Sequence, residues 1–257
     1  MKSTLTMIAL SVVALNAVAE EEKSWQASAE LGAIFTSGNT ETTSIKGKID
    51  VKQELESWSN QYIFDALLKE DEIESKDSNN NTVKQTQKTA EKYFLSAQGN
   101  YKLNTKGSSL FVYGSHTDDK FGGVTKYSTI SAGYGQHLYK TSTSLLKADI
   151  GPGYVWSKQA DKTDGTEGKE DNSGIIRLSA DYRWKINEFA TFTQAVSFEV
   201  PTDSDKNRRS KSVTGFAAKI SESMQMKLGL TAINNSEVVE GREKTDIETT
   251  VTVVYNF

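Results

Sequence analysis

The chain has 257 residues, 36% hydrophobic and 25% charged, which is enough for one large all-β domain or two small ones. A net charge of −4 without a basic cluster excludes a nucleic-acid footprint. The absence of cysteine and a total of two histidines leave no thiolate chemistry and no ready zinc site. No apolar run reaches the roughly eighteen residues of a membrane-spanning helix.

The first segment reads as a leader. Lys2 supplies positive charge, Leu5 to Val18 is mostly apolar, and Ala17-Val18-Ala19 is a small-residue cleavage site. Cleavage after Ala19 makes residues 1–19 a signal peptide and leaves 20–257 as a single barrel domain. Losing Lys2 leaves 29 bases against 34 acids.

Past Trp25 the period is two, with turn residues every ten to fifteen positions. The spacing predicts strands near 24–37, 42–56, 60–72, 90–103, 108–118, 124–138, 143–157, 174–186, 189–200, 210–221, 224–235 and 245–257. In the second, Ile45, Gly47, Ile49 and Val51 alternate with Lys46, Lys48, Asp50 and Lys52. In the eighth, Ile176, Leu178, Ala180, Tyr182, Trp184 and Ile186 alternate with Arg177, Ser179, Asp181, Arg183 and Lys185. The eleventh sets Met224, Met226, Leu228 and Leu230 against Gln225, Lys227 and Gly229. The twelfth sets Ile247, Val251, Val253, Tyr255 and Phe257 against Asp246, Glu248 and Thr252.

Such alternation fits a soluble sandwich, whose greasy face packs on a core, or a membrane barrel, whose greasy face meets lipid. Length separates them. Crossing the hydrocarbon takes about nine to eleven residues per strand, against five or six in globular sheets. The connections also alternate. Ser57 to Ser59, Asn104 to Gly107, Tyr139 to Ser142, Asn187-Glu188 and Glu222-Ser223 are tight, whereas Asp71 to Thr89 and Lys158 to Ser173 are long and polar. Short turns at one end and long loops at the other are the habit of outer-membrane barrels. The expectation is an all-β, transmembrane, antiparallel up-and-down barrel of about twelve strands in a Gram-negative outer membrane. An even count places both termini on the short-turn, periplasmic side.

Aromatic rings favour the membrane interface. Trp25, Trp58, Tyr101, Trp184, Tyr255 and Phe257 are expected in a periplasmic girdle, and Phe35, Tyr127, Tyr154, Trp156 and Phe198 in an outer one. The terminal strand with Tyr255 and Phe257 resembles the signal that hands outer-membrane proteins to the barrel assembly machinery. Expected partners are that machinery, outer-membrane lipid and lipopolysaccharide; nucleic acid is not among them, and the chain is expected to be a monomer.

Several fragments together resemble the salt-induced outer-membrane proteins, the DUF481 family of unknown function. They are Gly32-Ala33-Ile34-Phe35-Thr36-Ser37-Gly38-Asn39-Thr40, Asp119-Lys120-Phe121, Ser131-Ala132-Gly133-Tyr134-Gly135, Gly151-Pro152-Gly153-Tyr154 and Asn235-Ser236-Glu237-Val238. The resemblance spans the mature chain and implies an outer-membrane barrel; it lends no reaction, and any link to salt comes from the family name alone. Locally, Gly38-Asn39 suits a turn and Pro152 suggests a bulge or irregular edge.

The polar face is expected to line the lumen. Its candidates are Lys46, Lys48, Asp50, Lys52, Asp65, Arg177, Asp181, Arg183, Lys185, Glu199, Lys227, Asp246 and Glu248. So many charges demand water or mutual pairing. Twelve strands leave about 10–12 Å between facing side chains, room for ions or small solutes, and the mixed signs predict weak selectivity. The leading function is a narrow, weakly selective pore or structural envelope protein, not an enzyme, with no cofactor. The alternative is a barrel hydrolase near His116, with Asp118 and Asp119 as its acids. Asp161 to Asp171 resembles a loose calcium loop without the spacing of an EF-hand, and reads as a solvated loop.

Overall fold

A computed structural model describes residues 24–36, 42–76, 82–162 and 165–257. The expected signal peptide with Ala19, and the turn expected at Gly38-Asn39, lie outside them. Twelve strands form one closed antiparallel barrel. They are β1 (Trp25–Thr36), β2 (Thr42–Glu54), β3 (Trp58–Lys76), β4 (Thr82–Lys102), β5 (Ser108–Asp119), β6 (Val124–Lys140), β7 (Ser144–Gln159), β8 (Glu170–Lys185), β9 (Ala190–Pro201), β10 (Arg209–Lys219), β11 (Met224–Asn235) and β12 (Thr245–Asn256).

The period-two pattern becomes two faces. Leu31, Ile45, Leu110, Ile130, Leu228 and Ile247 are exposed around the outside, Leu31 by 65% and Ile247 by 70%. Burial instead marks the alternate positions, such as Arg177 at 7%, Thr252 at 3% and Ser131 at 2%. In water this would invert every rule of burial; with lipid outside, each apolar side chain keeps an apolar neighbour. The soluble-sandwich reading fails on this observation.

Turns at the terminal end stay short, as at 141–143 and 186–189. The opposite end differs from expectation. The segment 71–89 is not a free loop, because β3 and β4 stay paired from Lys69↔Ala90 out to Lys76↔Thr82, past a register shift at Lys69/Glu70. The sequence of this hairpin carries no apolar alternation, as expected where strands run beyond the hydrocarbon. The loop 158–173 is likewise shortened by the early start of β8 at Glu170.

Pro152 makes no bulge. Ser131↔Gly153 and Tyr134↔Ile150 keep one register past it, and the shifts in that ladder lie at Val124/Lys126 and His137/Tyr139. Its carbonyl accepts a hydrogen bond from Ser131 Oγ at 2.9 Å. Glycine makes the passage feasible: a Cβ on Gly133 would fall 2.1 Å from Ile150 O, and one on Gly151 2.1 Å from Ala132 O.

Trp25, Trp58, Tyr101, Trp184, Tyr255 and Phe257 lie exposed toward the short-turn end; Trp58 and Tyr101 meet edge-on at 5.4 Å, Tyr255 and Phe257 at 4.8 Å. Tyr154, Trp156 and Phe198 are exposed nearer the other rim. Tyr127 corrects its expectation, being 4% exposed and turned inward. The Phe35 side chain lies outside the described residues.

Candidate functional site in the lumen

Barrel closure depends on the β1–β12 seam, which has four ladder pairs among the described residues, against ten or more at every other junction. Two ion pairs bridge it from inside. Lys46 of β2 bonds Glu248 of β12 and lies 3.5 Å from Asp65; Lys227 of β11 bonds Glu30 of β1 at 2.6 Å, with Lys48 3.6 Å from the same oxygen. Each bridge skips one strand, which only an inward-pointing side chain can do. Five expected lumen residues, Lys46, Lys48, Asp65, Lys227 and Glu248, thus lie on one lattice, while Asp246 stands exposed two residues from Glu248 on β12. Asp50 stands near it, bonded by Gln61 Nε2 at 2.9 Å.

A second cluster fills the middle of the barrel. Arg177 and Glu199, of β8 and β9, stand 3.8 Å apart and are each 8% exposed in their side chains. The Arg177 guanidinium lies 3.9 Å from the Tyr113 ring of β5, Arg209 of β10 lies 4.1 Å from Tyr127 of β6, and Lys211 of β10 lies 4.0 Å from Phe94 of β4. Strands β4 and β10 are diametrically opposed in a twelve-strand ring, so Lys211 and Phe94 meet across the lumen. Cations on aromatic faces gain about 2 kcal/mol or more when desolvated. Beside them Phe111 is 2% exposed, and Val124, Tyr127, Val155 and Ile175 form a small apolar cluster. Asp149 of β7 takes a bond from Gln98 of β4 at 3.0 Å, and Lys147 gives one to Asn100 at 2.8 Å.

The space expected between facing side chains is therefore occupied at this level. Asp181, Arg183 and Lys185, which follow Arg177 down β8, are exposed, as is the short-turn end around them. Lys52 is half-buried on β2. The interior is a charged vestibule closed above by a cation–aromatic plug.

The far mouth carries a cover. The loop 236–244 between β11 and β12 reaches loop 120–123 between β5 and β6, six strands away: Arg242 Nη1 donates to Phe121 O at 3.2 Å, and Val238 packs on Gly123. Ala160 N donates to Gly123 O at 3.0 Å, and Val239 is buried. Loop 202–208 joins it through Asn207 Nδ2 and Asn235 Oδ1 at 3.1 Å. In that loop Lys206 donates to Asp171 at 2.5 Å, a bond that holds its ammonium above the ordinary lysine value. Asp161 accepts from Gly168 N at 2.8 Å. Both acids bounding the calcium-like loop are thereby engaged.

The hydrolase constellation does not assemble as expected. Asp119 turns inward to Lys92, 3.3 Å away, and accepts from the backbone of Phe121 and Gly122. His116 faces outward, 2.8 Å from Ser128 Oγ.

With this geometry in place, the profile of the family described as a protein of unknown function, DUF481, matches residues 29–257. The chain belongs to that family. A relative, the uncharacterized protein YdiY of Escherichia coli (strain K12), is 27% identical over 177 residues, covering 68% of this chain and 66% of its own length. Among solved structures, the NanC porin is 10% identical and superposes over 90% of this chain and 98% of that one, TM-score 0.48. The translocator domain of the autotransporter NalP from Neisseria meningitidis is 12% identical over 93% and 90%, TM-score 0.49. The COG4313 outer membrane channel from Pseudomonas putida F1 is 13% identical over 91% and 94%, TM-score 0.45. At such identities no solute or ligand passes from these proteins to this one.

Proposed function

We propose that this DUF481 barrel is a narrow, weakly selective outer-membrane pore whose described conformation is the closed one, with both termini in the periplasm. The observation that carries the reading is the nature of the plug. A purely structural barrel can fill its centre with aliphatic side chains, which have no polar cost. Here the centre is held by Arg177, Arg209 and Lys211 against rings and one carboxylate, contacts that part without exposing a large apolar core. Below it the mixed lining of Lys46, Lys48, Asp50, Lys52, Asp181, Arg183 and Lys185 disfavours strong selection by charge.

Planar-bilayer recording on the refolded mature protein tests this. Wild type should show small, infrequent steps with a cation-to-anion permeability ratio near one. The double variant Arg177→Ala/Lys211→Ala should raise the time-averaged conductance at least about tenfold, by removing two cross-lumen contacts of about 2 kcal/mol each. Silence from both proteins would refute a pore and leave a structural envelope barrel.

One observation favours a second reading, a hydrolase on the outer face: the contact between His116 and Ser128. Asp119 lies on the wrong side to orient that histidine. If Ser128→Ala abolished an ester hydrolysis shown by the purified barrel, the enzyme reading would replace the pore.

A further inference from the structure

The cover over the far mouth is fastened unequally at its two ends. Its base is built into the rim. Asn235 N donates to Lys244 O at 2.9 Å, which pins the two ends of loop 236–244 together. Loop 202–208 grips the same base. Ser236 N donates to Arg208 O and Arg208 N to Ser236 Oγ, both at 2.9 Å, and Glu237 N donates to Asn207 Oδ1 at 3.1 Å. The landing rim opposite is equally fixed, with Lys120 N on Glu91 O at 3.0 Å and Ala160 N on Gly123 O at 3.0 Å.

The tip, residues 238–242, is held far more lightly. It is a turn of its own, closed by Arg242 N on Val239 O at 3.1 Å, with Gly241 in the left-handed region at φ 86°. Among the described residues one hydrogen bond ties it across the mouth, from the exposed Arg242 side chain to Phe121 O at 3.2 Å. Beside that bond Val238 lies on Gly123, where a Cβ would stand 3.1 Å from Val238 Cγ1 and 3.4 Å from Arg242 Cβ. Val239, next in the chain, is buried. Segments with few contacts open at the least cost, and they bend where a firmly held base meets a lightly held tip.

We propose that residues 238–242 are an outer gate, a flap that lifts off loop 120–123 and stands in series with the cation–aromatic plug. The proposal rests on the pore reading. Lifting the flap breaks the Arg242 bond and bares Val238 and Val239. The wall stays intact, because the ladder between β11 and β12 ends at Asn234↔Thr245, short of the flap. Passage is thereby controlled at two levels, by the flap at the outer mouth and by Arg177, Arg209 and Lys211 in the centre.

A disulfide across the contact tests this. A Cβ on Gly123 would stand 3.3 Å from Val238 Cβ, a few tenths of an ångström short of the roughly 3.5–4.5 Å that separates the Cβ atoms of a disulfide. Gly123→Cys/Val238→Cys is placed in the refolded Arg177→Ala/Lys211→Ala barrel, whose plug is already loosened, and recorded in planar bilayers. The reduced protein should conduct, oxidation should remove most of the current, and dithiothreitol should restore it. Either cysteine alone should be indifferent to oxidation. Unchanged current with the disulfide confirmed by mass overturns the proposal. Silence of the reduced protein would count against the pore reading instead. In that case, or if the disulfide fails to form, thiol labelling in nanodiscs decides, since it needs no current. A single Val239→Cys should react slowly with a maleimide, and adding Arg242→Ala should speed the reaction about tenfold by removing one bond from a charged donor. Equal rates with and without Arg242 overturn the gate, as does a Val239→Cys that reacts as fast as Glu240→Cys at the exposed neighbouring position.

Discussion

Glu30 is the residue on which closure of the ring turns. It is the only carboxylate within reach of both Lys48 and Lys227 in the described seam, and its side chain is 9% exposed. Glu30→Gln leaves two half-buried ammonium groups facing an uncharged amide, at a cost of about 3 kcal/mol. Urea unfolding of the barrel in lipid vesicles should show that loss, and adding Lys227→Met should recover part of it. No change in the unfolding midpoint would mean that the seam is held by its four backbone pairs alone. Glu30 was hard to single out from sequence because its strand offers weak contrast: Ala27, Ala29 and Ala33 make a faint greasy face. Lys211 and Arg209 were hidden for a similar reason. Arg209-Ser210-Lys211-Ser212-Val213-Thr214 puts polar residues on both faces, so nothing marks which way the cations point. Arg177, flanked by Ile176 and Leu178, was legible because its neighbours are unmistakably outward.

Among the elements, all twelve strands were readable, because crossing lipid forces a long two-residue period on each one. The exception is informative. Between Glu70 and Lys88 the chain reads Glu-Asp-Glu-Ile-Glu-Ser-Lys and Thr-Val-Lys-Gln-Thr-Gln-Lys, polar except for Ile73 and Val83, and composition alone labels it a loop. Backbone pairing continues regardless, since a ladder needs no apolar face when both faces are wet. The register shift at Lys69/Glu70 marks where this hairpin departs from the wall. Replacing residues 73–85 with a two-residue turn, which joins the ladder partners Glu72 and Thr86, should therefore leave the barrel folded. Heat-modifiable migration on gels should persist, with the unfolding temperature lowered by no more than a few degrees. Loss of the folded band would show that the hairpin supports the wall rather than extending from it.

At the scale of the whole molecule, architecture and family were legible while the closed interior was not. Alternation tells which residues share a face; it does not tell which of them meet. The plug joins β5 with β8, β6 with β10 and β4 with β10, and the cover joins loops on opposite sides of the mouth. Contacts between strands three to six apart leave no trace in a period of two. What the period does demand is lipid outside and polar groups within, and the absence of native cysteines makes that demand easy to test. Single cysteines placed in turn at positions 176 to 182 of β8 can each carry a small fluorophore in protein refolded into vesicles containing brominated lipid. Quenching should alternate strictly, strong at 176, 178, 180 and 182 and weak at 177, 179 and 181. Uniform quenching, or quenching strongest at 177, 179 and 181, would contradict the barrel described here.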